Sequence, residues 1–269
     1  MQLAGDGVFG PPRDRDEAIA VLRAAVDAGV DHIDTAQYYG PGVVNELIRE
    51  ALHPYPDGLA LVSKVAARRD DAGAVLAYDE PDQLRAGIHD NLITLGVEQL
   101  TAVNLRVMDK AVADQRFVDQ LGALIVARDE GLIAGIGISN VTHQHLLRAL
   151  EITDIVCVQN AYNLANRSST PLLNECAARG IAFVPFCPLG WPKRQHDEIR
   201  TNPAVTGVAA SHAATPAQVA LAWLLAIADN VLLIPGTGNR AHLAENLAAG
   251  SLSLQNDEVA GLDAEFGEL

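Results

Sequence analysis

Seven apolar runs of strand length recur along the chain: VDHIDT (30–35), LALVSKV (59–65), LTAVNLRV (100–107), AGIGIS (134–139), IVCVQNAY (155–162), IAFVPF (181–186) and NVLLIPG (230–236). Between them lie segments whose apolar residues follow helical spacing: DEAIAVLRAAVDAG (16–29), VVNELIREAL (43–52), PDQLRAGIHDNLITLG (81–96), RFVDQLGALIVARDEG (116–131), HQHLLRALE (143–151), TPLLNECAARG (170–180) and TPAQVALAWLLAIA (215–228). Unbroken alternation of strand and helix implies a parallel sheet. The strands are apolar on both faces, as parallel strands covered by helices must be. Thr215 with Pro216 reads as an N-cap followed by a first-turn proline, and Gly29, Gly96, Gly131 and Gly180 stand where helices should stop.

Two closures suit this pattern, an open doubly wound sheet and an eight-stranded barrel. No G-x-G-x-x-G follows the first strand, and GIGIS (135–139) is itself a strand, so a dinucleotide-binding domain of the open type is disfavoured. The expected fold is therefore an α/β TIM (β/α)8 barrel, a single domain over residues 1–269. A barrel needs an eighth strand before the first helix, where only MQLAG stands. Most of the first strand, and any hairpin ahead of it, is expected to be missing from the chain.

With 34 acidic against 19 basic residues, the formal charge of −15 leaves no broad basic face for nucleic acid, and any phosphate must be held locally. Cys157, Cys176 and Cys187 lack the close spacing of a metal or redox motif, so no metal site is expected and the thiols read as reduced. The first residues carry neither a basic nor an apolar leader, and no run approaches the ~18 apolar residues of a membrane span. A cytoplasmic protein, monomeric or weakly self-associating, without membrane or nucleic-acid partners, is expected.

The polar residues inside these strands share an address. Asp34, Lys64, Asn104, Arg106, Ser139, Asn140, Gln159, Asn160 and Cys187 fall at or near C-terminal strand ends, where barrels build active sites. A buried lysine and aspartate on neighbouring strands must pair, since an isolated buried charge is too costly. A structural ion pair alone would account for them; Tyr39, in the loop after the same strand as Asp34, tips the reading towards chemistry. A phenol with a pKa near ~10 is a poor acid at neutral pH unless a cation stabilises its anion. Lys64, kept charged and oriented by Asp34, would let Tyr39 deliver a proton to a developing alkoxide. That is the chemistry of carbonyl reduction, and it requires a hydride donor.

DTAQYYG (34–40), SKV (63–65), GISN (137–140), VQNAYN (158–163), PFCPLG (185–190) and IPGTGNRAHLAENLAA (234–249), in this order, make the chain resemble the aldo-keto reductase superfamily almost end to end. The resemblance implies an NADP-dependent oxidoreductase acting on a small-molecule aldehyde or ketone. It places Tyr39 as proton donor, Asp34 and Lys64 as its supports, and Tyr38 in the wall of the substrate site. One departure stands out: LGVEQLTAVNLRVMD (95–109) puts Arg106 where the family usually has a histidine. His32, His53 and His89 offer no substitute. Arginine is a permanent donor and cannot shuttle protons. Either Arg106 orients substrate and stabilises the oxyanion, the reading preferred here, or it points elsewhere and Asn104 lines the site.

By the same resemblance Ser139, Asn140 and Gln159 hold the nicotinamide carboxamide, Phe186 stacks on the ring, and Cys187, Leu189 and Gly190 contact the pyrophosphate. Thr237, Gly238, Asn239, Arg240 and His242 surround the 2′-phosphate, and Glu245 and Asn246 meet the adenine. Gly236 and His242 replace a lysine and an arginine of many relatives. NADPH is expected over NADH because Thr237, Asn239 and Arg240 still offer donors and charge; a solvated helix-end cation is the competing reading of Arg240.

The segment MDKAVADQ (108–115) is short, and the chain closes soon after its last helix, so an open substrate site is expected. Trp191, followed by PKRQHDE, either walls that site or packs in its own loop. Two rivals remain: a cofactor-binding regulator with weak turnover, suggested by Arg106, and a Schiff-base lyase using Lys64.

Overall fold

The computed structural model describes residues 1–109 and 112–267, so Lys110 and Ala111 of the 108–115 segment and the final Glu268 and Leu269 lie outside the described residues. The chain divides into two compact units: Met1–Val158 with Gly236–Arg240, and Gln159–Pro235 with the residues from Ala241 onward.

The first unit runs through a 3-10 turn (Asp6–Val8), α1 (Arg15–Asp27), β1 (His32–Asp34), α2 (Val43–Leu52), β2 (Ala60–Arg69), β3 (Val75–Tyr78), α3 (Pro81–Leu95), β4 (Leu100–Arg106), α4 (Gln115–Asp129), β5 (Ile133–Ser139), α5 (His143–Leu150) and the opening of β6 (Cys157–Ala161). Strands β1, β2, β4 and β5 are parallel neighbours in that order. No strand precedes α1 among the described residues.

The helices of the first unit bury apolar residues at helical spacing. In α2 the buried residues are Val44, Leu47, Ile48 and Leu52, each contributing about 1.5–3 kcal/mol of apolar transfer, and one polar residue, Asn45, is buried among them. Helix α3 starts on a capping box between Glu80 and Gln83 with Pro81 in its first turn, and it stops at Gly96, whose φ of 70° only glycine adopts freely. Gly29 and Gly131, at φ 92° and 81°, lie two residues past the last helical residues of α1 and α4.

The second unit contains the rest of β6, then α6 (Thr170–Arg179), β7 (Ala182–Phe186), α7 (Lys193–Thr201), α8 (Pro203–Ser211), α9 (Pro216–Ile227), α10 (Arg240–Ala248) and α11 (Asn256–Glu265). Thr215 caps α9 as predicted, its hydroxyl accepting from Gln218 N–H. Helix α9 is apolar all round, with Val219–Leu224 buried. No single helix among the described residues is long and apolar enough to cross a membrane.

Some elements differ from the sequence reading. NVLLIPG does not form a strand: it makes one parallel bridge, Val231 to Phe183, with Leu232 N–H donating to Phe183 O at 2.9 Å. Residues 70–78 instead form a hairpin, β3 pairing antiparallel with the far end of β2. The segment after Trp191 is a helix, α7, rather than a loop, and α8 follows it where no helix was expected.

Candidate active site

Register assembles the predicted residues on one face of the first unit's sheet. Asp34 pairs with Val62 across β1 and β2, Lys64 with Asn104 across β2 and β4, and Asn104 with Gly137 and Arg106 with Ser139 across β4 and β5. Because strand side chains alternate, Asp34, Lys64, Asn104, Arg106 and Ser139 share a face, while Thr35 and Ser63 point to the opposite one. Lys64 Nζ donates to Asp34 Oδ1 and, at 2.9 Å, to Thr35 O. Both side chains are almost fully buried, at 3% and 5% exposure, so removal of either partner would cost about 3–5 kcal/mol.

Tyr39 sits in a tight turn beyond β1. Its N–H donates to Ala36 O at 3.0 Å, and Gly42 N–H closes the loop on Gln37 O at 2.8 Å. Gly40 is required there: its φ is 63°, and a Cβ would come within 2.7 Å of Gly10 O. The buried Tyr39 ring lies with its centroid 5.2 Å from Lys64 Nζ and meets the Tyr38 ring edge-on at 5.1 Å. Burial pushes the Tyr38 phenol above its usual range, with the Tyr39 phenol adding to the shift and Lys64 and Arg106 opposing it, so Tyr38 stays neutral. The hairpin holds this loop from its other side, because Arg69 donates from Nε to Tyr38 O at 3.0 Å and from Nη1 to Gly73 O at 2.5 Å. Ala66, at φ 86°, marks where β2 leaves β4 and turns towards β3.

On β4, Asn104 is fully buried. Its Oδ1 accepts from Cys157 Sγ at 3.3 Å, and its Nδ2 has no hydrogen-bond partner among the described residues. Gly137 makes room for it, since a Cβ there would lie 2.2 Å from Asn104 Oδ1 and 2.6 Å from Cys157 Sγ. The buried Ser139 Oγ likewise has no hydrogen-bond partner among the described residues. Asn140, at φ 59°, donates its side-chain amide to Val107 O at 2.7 Å, so it ties the ends of β4 and β5 together. Of the histidines, His32 is lowered by burial, His53 packs edge-on against Tyr55, and His89 is exposed on α3.

Behind this face stands a polar cluster that the sequence reading missed. Thr35 Oγ1 donates to Asn45 Oδ1 at 2.8 Å, and Ser63 Oγ donates to Asn91 Oδ1 at 2.6 Å. Asn45 Nδ2 reaches Asn91 Oδ1 and Gln37 Oε1, both at 2.9 Å. Asn45 and Asn91 are fully buried, and leaving either amide without partners would cost about 1–3 kcal/mol. The available signal was an asparagine on the apolar stripe of each helix.

In the segment expected to meet a 2′-phosphate, Asn239 N–H donates to Thr237 Oγ1 at 3.1 Å, and a Cβ on Gly238 would fall 2.9 Å from Gln2 O. Arg240 is an ion-pair partner: Glu17 accepts from its backbone N–H at 3.1 Å and from its guanidinium at 3.0 Å. That hydrogen bonding holds the Glu17 carboxylate below its usual range.

Within the second unit, Gln159 is buried and Phe186, Cys187, Leu189 and Gly190 are partly buried. Cys187, at φ 54°, turns the chain after β7; its carbonyl accepts from Asn163 Nδ2 at 3.0 Å and from Gly190 N–H at 2.9 Å. Glu245 accepts from Thr215 Oγ1 at 2.5 Å, Asn246 donates to Pro235 O at 3.3 Å, and His242 is exposed. Trp191 is 70% exposed.

The sequence model of the Aldo/keto reductase family matches residues 1–265. The chain belongs to the aldo/keto reductase family. Within this family it is 48% identical over 266 residues to pyridoxine 4-dehydrogenase of Escherichia coli (strain K12), covering 98% of this chain and 91% of that protein. Its structure resembles an aldo/keto reductase from Klebsiella pneumoniae in complex with NADP and acetate, with a TM-score of 0.82 at 26% identity over 99% of this chain and 90% of that one. An aldo-keto reductase from the same organism in complex with NADPH gives 0.83 at 26% identity over 99% and 89%. The fold class is the family's (β/α)8 barrel, as the alternation of strand and helix predicts, and the chain is an oxidoreductase.

Proposed function

We propose that this aldo/keto reductase reduces aldehydes or ketones to alcohols, as one catalytic domain, with NADPH as the hydride source and Tyr39 as the proton donor. The observation that carries the reading is the buried Asp34–Lys64 pair with Lys64 Nζ 5.2 Å from the centre of the Tyr39 ring. Bound NADPH supplies a hydride to the carbonyl carbon. The chain's own residues manage the oxygen. Tyr39 Oη gives its proton to the carbonyl oxygen as negative charge grows there, and the Lys64 ammonium offsets the charge left on the phenolate. Asp34 and Thr35 O hold Lys64 in place. Arg106, on the same sheet face, donates to the oxyanion in place of the family's usual histidine, with Tyr38, Asn104 and Trp191 assigned to substrate.

The residues present fit the dinucleotide. Ser139 Oγ is buried without a hydrogen-bond partner among the described residues, which is the state of a hydroxyl that an amide ligand completes. With Ser139, the reading assigns Asn140, Thr237, Gly238, Asn239 and Arg240 of the first unit to the cofactor. In the second unit it assigns Gln159, Phe186, Cys187, Leu189, Gly190, His242, Glu245 and Asn246.

The name of the 48% identical relative directs the choice of substrate: the aldehyde formed by dehydrogenating pyridoxine at its 4-position is pyridoxal. The experiment is NADPH oxidation by the purified protein, followed by absorbance, with pyridoxal and a panel of small aldehydes and ketones. Carbonyl-dependent oxidation with alcohol product is expected. Tight NADPH binding without turnover on the whole panel would favour the regulatory alternative that Arg106 raises. The ion pair on Lys64 argues against the Schiff-base lyase, because an ammonium held by a carboxylate is not a nucleophile.

A further inference from the structure

The two strands that carry the Asp34–Lys64 pair are joined a second time, from behind. Thr35 follows Asp34 and Ser63 precedes Lys64, so by strand alternation their hydroxyls face away from the reacting side. There Thr35 bonds Asn45 of α2 and Ser63 bonds Asn91 of α3, and the two asparagines bond each other at 2.9 Å. The path from Asp34 to Lys64 is therefore closed on both faces: by the ion pair in front and by four side chains, Thr35, Asn45, Asn91 and Ser63, behind. The same Asn45 amide reaches Gln37 Oε1 at 2.9 Å, and Thr94 Oγ1 reaches that oxygen at 2.9 Å. Gln37 lies two residues before Tyr39, in the loop that carries it.

We propose that Asn45 and Asn91 are positioning residues for proton transfer: they set the spacing of Asp34 and Lys64, and through Gln37 the placement of the Tyr39 loop. Packing alone does not call for this arrangement. Apart from Gly87, the neighbouring buried positions of α2 and α3 are aliphatic, and an aliphatic pair would fill the helix–sheet contact without needing matched donors. The amides add direction. Asn91 Oδ1 takes two donors and Asn91 Nδ2 donates to Gly87 O at 2.7 Å, which fixes the orientation of its side-chain amide. Asn45 then has its acceptor turned to Thr35 and its donor to Asn91 and Gln37. A shift of either strand along its axis breaks these bonds.

The inference rests on the reductase reading, and its test separates the two. Thr35→Val keeps the volume of the side chain and removes the donor to Asn45, Thr35→Ser keeps the donor, and Asn45→Leu removes the hub. In the full-length protein with NADPH and the best aldehyde of the panel, Thr35→Val and Asn45→Leu should lower kcat about tenfold or more. KM and NADPH affinity should stay within about twofold, and Thr35→Ser should restore kcat. Hydrogen exchange of the free protein supplies a second readout: protection of residues 34–42 should fall in Thr35→Val and return in Thr35→Ser. Should Asn45→Leu fail to fold, the valine and serine pair still decides. An active wild type whose Thr35→Val variant keeps kcat and protection, or merely melts earlier, overturns the positioning role and leaves the reductase reading intact. A wild type inactive on every carbonyl overturns the reductase reading, and the positioning role with it, whatever the exchange data show.

Discussion

Glu17 holds Arg240 by two separate groups, accepting from its backbone N–H at 3.1 Å and from its guanidinium at 3.0 Å. The pair lies on the surface, with side chains 25% and 62% exposed, yet it occupies the one arginine of the 234–246 segment proposed to meet a 2′-phosphate.

Glu17→Gln should therefore tighten NADPH relative to NADH. An exposed pair contributes little, so the gain is about two- to fivefold in the ratio of dissociation constants. Fluorescence titration with both dinucleotides measures it, and an unchanged ratio would place Arg240 outside the phosphate contact.

Arg106 shares the sheet face of Lys64 and contributes to the electrostatic environment of Tyr38. If it steadies the oxyanion, Arg106→Leu lowers kcat/KM by about 10²-fold while NADPH binding holds. Arg106→Lys keeps a charge without the planar fork and should recover part of the loss. Steady-state kinetics on the three proteins checks this.

Gly137→Ala tests how tightly Asn104 is seated. The added methyl meets Asn104 Oδ1 and Cys157 Sγ well inside contact distance, so stability should fall by about 1–3 kcal/mol in urea unfolding. Activity should fall as well, because displaced Asn104 shares its row with Lys64.

Glu258 on α11 accepts from Gln255 N–H and from His212 Nε2, and these bonds, the backbone one first, hold its carboxyl below 4.5. A lowered carboxyl pKa means that its stabilisation is present above pH 4.5 and is lost as pH falls through the folded value. Glu258→Gln should lower Tm at pH 7, and the difference from wild type should shrink progressively in acid below pH 4.5. Thermal melts across pH 3–7 read both effects.

Much of this was legible in the sequence because it depends on strong local patterns. Helix α2 matches VVNELIREAL residue for residue, since its apolar stripe and the glycine before it leave little choice. Asp34 and Lys64 could be paired from the sequence because two buried charges on adjacent strands have no cheaper arrangement. The β3 hairpin was missed because three of its four residues are exposed and its turn, RDDAGAV, reads as loop. Helix α7 escaped for a similar reason: it is largely charged and buries only Ile199. NVLLIPG was misread in the other direction, an apolar run that makes one bridge rather than a strand. The asparagine bracket was missed because an asparagine on an apolar stripe does not name its partner, and only the folded chain brings Asn45 to Asn91, 46 residues away.

Single-turnover reduction of pyridoxal, with enzyme and NADPH in excess, compares wild type with Tyr39→Phe most directly. The phenylalanine variant keeps the ring beside Lys64 and loses only the hydroxyl. The proposal predicts that its hydride-transfer rate falls by about 10²- to 10⁴-fold with NADPH affinity unchanged. A variant that reduces pyridoxal within a few-fold of the wild-type rate would contradict it.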